Sequence, residues 1–424
     1  NKRIPKYYIM GIREKEARFT ERQAQDLECL FCKTERIVIS MFVKEPVTRG
    51  PGNNQLLYFT STSLLCQNKG LVFISDRTGS PNLYWMDLET GEERALTAQS
   101  EGYLYSYVYF DGNPYRGLGK ASVSLDAERG IVYYLQGRSV MQVDLHGNAR
   151  ELCRLPQGQL TGFTHVSADG SLLCVPTVDE DAFCVGQGDR NPGIDLRTRE
   201  KGLSSYLRVF DTHTGEEVLC EPVSGAWITH VQFCPTDNHK ILHNHEWCTD
   251  CGIRRMWLFD GKNHIRLRTE DEHRSKEDWT CHEMWEKNGD YVIYHGTYHN
   301  GLSYIGRVNI HTLQYHEIPI DPAHHAYGHF TVMDTGVLVS DGYYIESGDD
   351  PQKMFGQWIS IQKVDWEQET IQWLPLCRHG SNWDCQCSHP HPIFDHGDQY
   401  VYFTSNESGH REVYRVPSGL EPIV

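Results

Sequence analysis

Short segments in which apolar and polar residues alternate recur along the chain, and turns rich in Gly, Asp and Asn separate them. The clearest example runs from Leu71 to Thr97 with the sequence LVFISDRTGSPNLYWMDLETGEERALT. A period of two, with β-branched and aromatic residues, is typical of β-strands, and the Gly, Asp and Asn positions are typical of turns. The segment therefore predicts three antiparallel strands joined by two tight turns.

The same plan recurs seven times, at intervals of about 40 to 60 residues, which is a spacing found in β-propellers. The seven units span residues 71–97, 131–155, 166–220, 231–268, 283–320, 330–376 and 390–417. Each unit has room for four strands, and radial repetition leaves few exposed strand edges. The pattern predicts an all-β fold, a single-domain seven-bladed β-propeller.

Two segments precede the first unit. Residues 36–49 begin with RIVISMFV, which has strand character, and we expect them to complete the last blade and close the ring. Residues 1–35 are charged with some helical spacing and are interpreted as an N-terminal arm. The predicted organisation is an arm, 1–35, and a propeller, 36–424, closed by the N-terminal strand.

The composition narrows the partners that this chain can have. The formal net charge is −17, and no basic stripe is visible, which argues against nucleic-acid binding. An anionic substrate therefore needs local Arg or metal charge. No apolar run approaches the ~20 residues of a membrane span, and the first residues lack the apolar core of a signal peptide. Several of the 14 cysteines lie inside predicted strands, which favours reduced thiols in a cytoplasmic protein.

Histidines open the first strand of five consecutive units. The chain has 22 histidines, and those at the opening positions are His165, His230, His282, His329, and His389 with His391. In a propeller the first strand of each blade lies beside the central channel, so these imidazoles are expected to converge at one mouth. A single histidine is more often structural, but imidazoles gathered without a cation lower each other's pKa and lose hydrogen-bond partners. The recurrence predicts a divalent-metal site.

The motif Gln386-x-x-His389-x-His391 is the sharpest local feature. Histidines at i and i+2 of an extended segment project to the same side, and the prolines at 390 and 392 stiffen that segment. With His282 added, the donors are three nitrogens and one neutral oxygen, which suits Mn, Fe, Ni or Zn better than Ca or Mg. Because all four donors are neutral, the metal keeps its full positive charge and can bind a substrate carboxylate.

Two further features remain open from the residues alone. His245, in the run HNHEW, is compatible with a metal ligand, a general base or a core residue. The longest insertion, residues 179–205, contains Arg190, which either lies in a solvated loop or shapes the substrate site.

Several motifs together resemble the oligogalacturonate lyase family, cytoplasmic seven-bladed propellers that use manganese. The matching stretches are SDRTGSPNLYWMDLETGE, HVQFCPTD followed by NHEW and RRMW, CHEMW, GHFTVMDTGVLVSDG, and SNWDCQCSHPHPIF leading to VYFTSNESG. The combination of QxxHPHP with CHEMW is quite specific, whereas the first-blade motif is shared with other propellers. The resemblance covers roughly residues 47–417.

The resemblance implies roles for individual residues. His282, Gln386, His389 and His391 match the metal ligands, with Mn²⁺ as the expected ion, and His245 matches the proposed catalytic base. Arg208, in YLRVFD, is the nearest match to an assisting arginine of the third blade. Arg255, in RRMW, also lies on a matching motif. We expect Arg190, Arg255, His230 and His329 to contact the substrate.

These residues support β-elimination on a uronic-acid oligosaccharide. The proton on C5 is alpha to a carboxylate, so a metal on that carboxylate and a neutral histidine together allow its removal. Three alternatives remain: a lyase acting on another uronic-acid glycan, a glycosidase with two carboxylic acids, and a non-catalytic binding propeller. A serine peptidase is disfavoured because no G-x-S-x-G motif is present. The sequence does not indicate an oligomeric state.

Overall fold

Seven antiparallel sheets follow one another along the described part of the chain. The structure is a computed structural model, and it describes residues 42–98, 122–182, 194–246, 255–268, 279–298, 300–321, 328–333, 337–342, 356–383 and 386–420. The predicted arm, residues 1–35, and residues 36–41 of the predicted closing segment lie outside these ranges. The chain divides at Arg36 into two units, and all described residues belong to the second, Ile37–Val424.

The first three sheets contain the strands from β2 to β14. Blade 1 consists of β2 (Asn54–Gln55), β3 (Gly70–Ser75), β4 (Asn82–Asp87) and β5 (Glu93–Ala95). Blade 2 consists of β6 (Ser124–Asp126), β7 (Ile131–Gln136), β8 (Ser139–Asp144) and β9 (Ala149–Arg154). Blade 3 consists of β10 (Gln159–Thr161), β11 (His165–Val166), β12 (Leu172–Asp179), β13 (Ser204–Asp211) and β14 (Glu217–Ser224).

The remaining four sheets complete the ring. Blade 4 consists of β15 (Val231–Cys234), β16 (Asp237–Asn244), β17 (Met256–Phe259) and β18 (His264–Arg266). Blade 5 consists of β19 (Trp279–Trp285), β20 (Tyr291–Thr297), β21 (Ser303–Asn309) and β22 (Tyr315–Pro319). Blade 6 consists of β23 (Phe330–Val332), β24 (Val337–Ser340), β25 (Trp358–Asp365) and β26 (Thr370–Arg378). Blade 7 consists of β27 (Ile393–Phe394), β28 (Tyr400–Ser405), β29 (Glu412–Pro417) and β1 (Glu45–Pro46).

The prediction of a seven-bladed, all-β propeller is confirmed. In blades 1, 2, 4, 5 and 6 successive strands are antiparallel neighbours, as expected for strands joined by tight turns. In blade 3 both β10 and β11 pair with β12. In blade 7, β1 pairs with β29 through Glu45 opposite Arg415 and Pro46 opposite Tyr414. A strand from the start of the propeller thus forms the outer edge of the last blade.

Hydrophobic cores lie between adjacent blades. Val72 of blade 1 packs in one buried cluster with Val132 of blade 2, and Ile293 of blade 5 shares another with Trp358 of blade 6. Blades that are covered on both faces bury whole strands, and β3 is buried at every position. This packing holds the innermost strands, and the residues that open them, around a common axis.

Helix is scarce among the described residues. There is one α-helix, α1 (Ile194–Glu200), and there are 3₁₀ helices at Cys66–Asn68, Glu180–Ala182 and Gln386–Ser388. None of the helices in the described ranges has the length and apolar character needed to span a membrane.

Candidate metal centre

The innermost strands carry the histidines that the sequence singled out. His165 begins β11 and His282 lies within β19, whereas His230 directly precedes β15 and His329 directly precedes β23. His389 and His391 lie just before β27. The structure therefore places all of these residues at the inner edges of blades 3 to 7.

Four of them come together. Donor atoms of His329, His389 and His391 all lie within 4.8 Å of one another. The ring of His282 lies 4.5 Å from that of His329, centroid to centroid. His282, His329, His389 and His391, called the histidine cluster below, are all at most 9 % exposed.

The donor spacing fits a bound metal ion. Nitrogen ligands lie about 2.1 Å from a first-row divalent metal, so that two of them are separated by at most about 4.2 Å. The three donors within 4.8 Å require only small side-chain adjustments to reach that spacing. Imidazoles buried side by side have the chemistry of a site for a borderline divalent cation.

Two histidines of the cluster have a backbone conformation with positive φ, which sets the direction of their side chains. His282 has a φ of +50° and lies where the register between β19 and β20 shifts, between Cys281 and Met284. His391 has a φ of +47°, so the prediction of an extended segment is wrong at that residue. Positive φ is costly for a residue with a Cβ and concentrates at functional sites, where surrounding packing enforces it.

Asp341, which follows β24, holds two members of the cluster in place. Its Oδ1 accepts a hydrogen bond from the backbone N of His329 at 2.6 Å, and its Oδ2 accepts one from the backbone N of His391 at 3.1 Å. Oδ2 also lies 3.1 Å from His329 Nδ1. Burial raises the pKa of Asp341 to about 6. A carboxylate that receives Nδ1–H of a histidine leaves Nε2 available for a metal.

Two aromatic residues of blade 1 contact the cluster. The ring of Phe59 lies 5.4 Å from the rings of both His329 and His391, and that of Tyr58 lies 4.9 Å from that of His391. Tyr58 also places its hydroxyl 3.1 Å from His230 Nε2 in blade 4. The aromatic pair of blade 1 thus contacts imidazoles of blades 4, 6 and 7.

A buried ion-pair network surrounds His230. Arg255 Nη1 donates to both carboxylate oxygens of Glu246 at 3.0 Å, and Arg255 Nε donates to Glu283 at 2.7 Å. Burial acts to raise the pKa of Glu246, but the charges of Arg255 and His230 hold it below its usual value. Burial lowers the pKa of His230, whose Nδ1 lies 2.7 Å from Thr229 Oγ1.

His245 lies directly after β16, and its ring stacks on Trp257 at 4.6 Å with an interplanar angle of 13°. Burial, with a smaller contribution from His264, lowers its pKa to about 3. Among the described residues its Nε2 has no hydrogen-bond partner. His245 is therefore a neutral imidazole at physiological pH.

Comparisons with known proteins identify the family of this chain. Residues 116–419 match the family model described as oligogalacturonate lyase. The chain belongs to the oligogalacturonate lyase family. Oligogalacturonate lyase from Dickeya dadantii (strain 3937) is 28 % identical over 387 residues, 86 % of this chain and 90 % of that protein.

Two solved structures show the same propeller. An oligogalacturonate lyase in complex with manganese superposes with a TM-score of 0.69 at 20 % identity, covering 89 % of this chain and 96 % of the other. The oligogalacturonate lyase from Vibrio parahaemolyticus gives the same TM-score and identity, covering 89 % and 97 %. At this identity the likeness concerns the fold.

The structure describes only part of the surroundings of three other residues that are expected to act in the reaction. Arg208 on β13 pairs with Glu217 at 2.5 Å and donates to Gln159 and Thr177, all in its own blade. Gln386 begins the 3₁₀ helix that leads to His389, and its side chain lies outside the described part. Arg190 lies outside the described residues. The roles expected of these three residues stay predictions.

Sequence reasoning missed Asp341, Tyr58 and Phe59. The run VLVSDG marks a strand followed by a turn, so Asp341 carries an ordinary turn signal. Tyr58 and Phe59 follow β2 by a few residues and have the character of core positions. Their contacts with blades 4, 6 and 7 depend on ring closure, which local patterns do not encode.

Replacing Arg255 with methionine is expected to destabilise the fold by about 3–5 kcal/mol, because it leaves the two buried glutamates uncompensated. Urea denaturation measures the change in the free energy of unfolding. The matched control is Arg94→Met, because Arg94 and its partner Glu92 are 40 % and 65 % exposed. It should cost less than about 1 kcal/mol. Equal stability of the two variants would show that the network contributes nothing.

Stability is also expected to fall in mild acid. Burial lowers the pKa of His295 and of His379 to about 4 in each case, whereas an unfolded histidine titrates near 6.5. Below about pH 6.5 the unfolded state binds protons that the folded state cannot, so the free energy of unfolding is constant above pH ~7 and decreases toward pH ~4. Each residue contributes on the order of 2–3 kcal/mol to this loss.

Urea midpoints between pH 7.5 and pH 4.5 test this prediction. His379 Nε2 lies 2.8 Å from the carbonyl of Gly356, a contact that the amide of His379→Gln can keep. In that variant the free energy of unfolding should depend less steeply on pH, because just under one proton fewer is taken up on unfolding. A midpoint equal at both ends of the range would contradict the expectation.

Proposed function

We propose that this chain cleaves oligogalacturonate by β-elimination at the histidine cluster. The observation that carries the proposal is the convergence of three imidazole donors within 4.8 Å in a chain of the oligogalacturonate lyase family. The cluster supplies a cation site, and His245 supplies a neutral base. These are the two groups that removal of a proton alpha to a carboxylate requires.

The proposed ion is Mn²⁺, held by His282, Gln386, His389 and His391, and we add His329 because its donor atom belongs to the same group. Imidazole donors suit transition metals better than Ca or Mg. The choice of manganese among these metals rests on a relative of the same fold that is described in complex with manganese. When bound, the metal neutralises the substrate carboxylate and stabilises the negative charge that develops beside C5.

The protein's own residues provide the proton transfer. His245, proposed as the base because its motif matches that of the family's base, is neutral at physiological pH and takes the C5 proton. The electron pair of that bond forms the C4–C5 double bond, and the C4 oxygen leaves with the next sugar and takes up a proton from solvent. Asp341 fixes His329 and the backbone at His391, so that the cluster keeps its geometry without reorganising.

Positive side chains bind the rest of the anionic substrate. Arg190 is proposed as a second carboxylate contact, because the described guanidinium contacts of Arg208 and Arg255 include glutamates. Arg208 and Arg255 are accordingly proposed to stabilise blades 3 and 4. They would assist substrate binding indirectly, by keeping these blades in place. His230 is proposed to contact the substrate at the channel, where the hydroxyl of Tyr58 lies within hydrogen-bond distance of its Nε2.

The proposed location is the cytoplasm. None of the cysteines in the described part of the chain is joined in a disulfide, and Cys174, Cys234 and Cys377 are buried within strands. Reduced cysteines in strand interiors are typical of proteins from reducing compartments.

Product analysis tests the reaction class. Purified protein, supplied with Mn²⁺, is incubated with saturated trigalacturonate, and the products are identified by mass spectrometry. Elimination conserves the total mass without adding water and leaves one product with a double bond, whereas hydrolysis adds one water. Saturated products would exclude the elimination, and an unchanged trimer with metal-loaded protein would favour a binding function.

A further inference from the structure

A second group of metal-ligating atoms lies in blade 5, next to the histidine cluster. Cys281 and His282 of β19 and His295 of β20 each offer one donor atom, and these three atoms lie within 4.8 Å of one another. Cys281 and His295 are directly opposite in the register of the two strands. Neither of these two residues has a part in the proposed elimination.

The irregular backbone of β19 creates this group. Adjacent residues of a regular strand point to opposite faces, so Cys281 and His282 would not share a site. The φ of +50° at His282, with the register shift that follows Cys281, turns both side chains toward His295. His282 Nδ1 then lies 2.8 Å from His295 Nε2 and 2.9 Å from the carbonyl of Gly328.

Glycine permits that approach of the Gly328 carbonyl. A Cβ on Gly328 would lie 2.7 Å from the backbone of Gly342, which no side-chain movement relieves. The imidazole nitrogens of His282 and His295 are thus held close together under a carbonyl, inside the protein. Cys281 is half-buried, which gives a cation a path from solvent to the group.

We propose that Cys281, His282 and His295 form a second metal site, which takes a thiophilic divalent cation of the Zn²⁺ class. One sulfur and two nitrogens with an open fourth position match catalytic-type zinc coordination. Thiolate selects zinc over manganese, which prefers oxygen and nitrogen. Binding releases the thiol proton to solvent and forms the metal–sulfur bond, so no oxidant or reductant is involved.

The site has a regulatory consequence, which rests on the proposed function. His282 is shared with the proposed catalytic metal site, so zinc held by Cys281 and His295 draws this ligand away. Zinc is therefore expected to inhibit the manganese-loaded lyase, and removal of the sulfur ligand is expected to relieve the inhibition.

Cobalt binding tests the site without reference to activity. Adding Co²⁺ to the full-length protein should produce a thiolate-to-cobalt charge-transfer band in the near ultraviolet. Cys281→Ser and Cys281→Ala should both lose the band, whereas Cys153→Ser, a half-buried cysteine of blade 2, should keep it. His391→Ala should also keep it, since that change affects only the neighbouring cluster.

Two results would overturn the second site. One is stoichiometric cobalt binding with no charge-transfer band. The other is a band that survives in Cys281→Ser and disappears when one of the two C-x-x-C pairs of the sequence, Cys29 with Cys32 or Cys248 with Cys251, is replaced by serine.

Zinc inhibition tests the consequence. The zinc concentration that halves turnover should rise at least tenfold in Cys281→Ser, and an unchanged value would contradict the shared ligand. A protein that shows the cobalt band but never cleaves oligogalacturonate would refute the proposed function and leave the second site standing.

Discussion

His391→Ala is expected to lose bound manganese and to reduce turnover at least about 1,000-fold. His391 is fully buried, and its donor atom lies within 4.8 Å of those of His329 and His389. Replacing even a residue behind the ligands typically weakens metal binding 10–100-fold, so loss of a ligand is expected to cost more. Without the metal, the charge that develops beside C5 has no counter-charge.

Metal content after dialysis and the turnover number measure these two effects together. The matched control is His396→Ala, five residues further on in the same blade, where the side chain is exposed. It should keep both metal and activity. Full metal content in His391→Ala would place the ion elsewhere, and full activity would remove the metal from the mechanism.

His245→Asn is expected to reduce turnover about 100- to 10,000-fold, because a general base usually contributes a factor of this size. The metal content is expected to stay unchanged. Asn keeps a polar side chain of smaller volume beside Trp257, so the fold should persist. His245 N still donates to the carbonyl of Arg255, because that hydrogen bond uses only backbone atoms.

The control for this variant is His239→Asn, an exposed position on β16, the strand that His245 directly follows. Its turnover and metal content should match those of the unmodified protein. Loss of metal from His245→Asn would identify His245 as a ligand rather than the base. Unchanged turnover would require another group to take the C5 proton.

The fold was predictable because propeller blades repeat a local pattern. Each blade combines strands of period two with short turns, so the seven units of the sequence correspond to seven sheets. The inner positions of His230 and His329 also follow from chain order, since each directly precedes the first strand of its blade. No long-range information is needed for either inference.

The details of the site depend on contacts between blades and were not predictable in the same way. Asp341 belongs to a turn in the sequence, yet its oxygens bind the backbone of His329 and of His391, 50 residues further along. The left-handed backbone at His391 opposes the extended preference of a residue before proline, and tertiary packing decides the outcome. Arg208 pairs with Glu217 on the neighbouring strand, a contact that a motif match does not reveal.

The central claim is that a metal at the histidine cluster enables elimination, and ultraviolet absorbance of the 4,5-unsaturated product tests it most directly. Saturated trigalacturonate is mixed with purified protein and Mn²⁺, the absorbance is followed, a chelator is added, and Mn²⁺ is then restored in excess. We expect absorbance to rise, to stop rising on chelation and to resume on restoration. An equal rate in the presence of chelator, with the metal shown to be removed, would contradict the account.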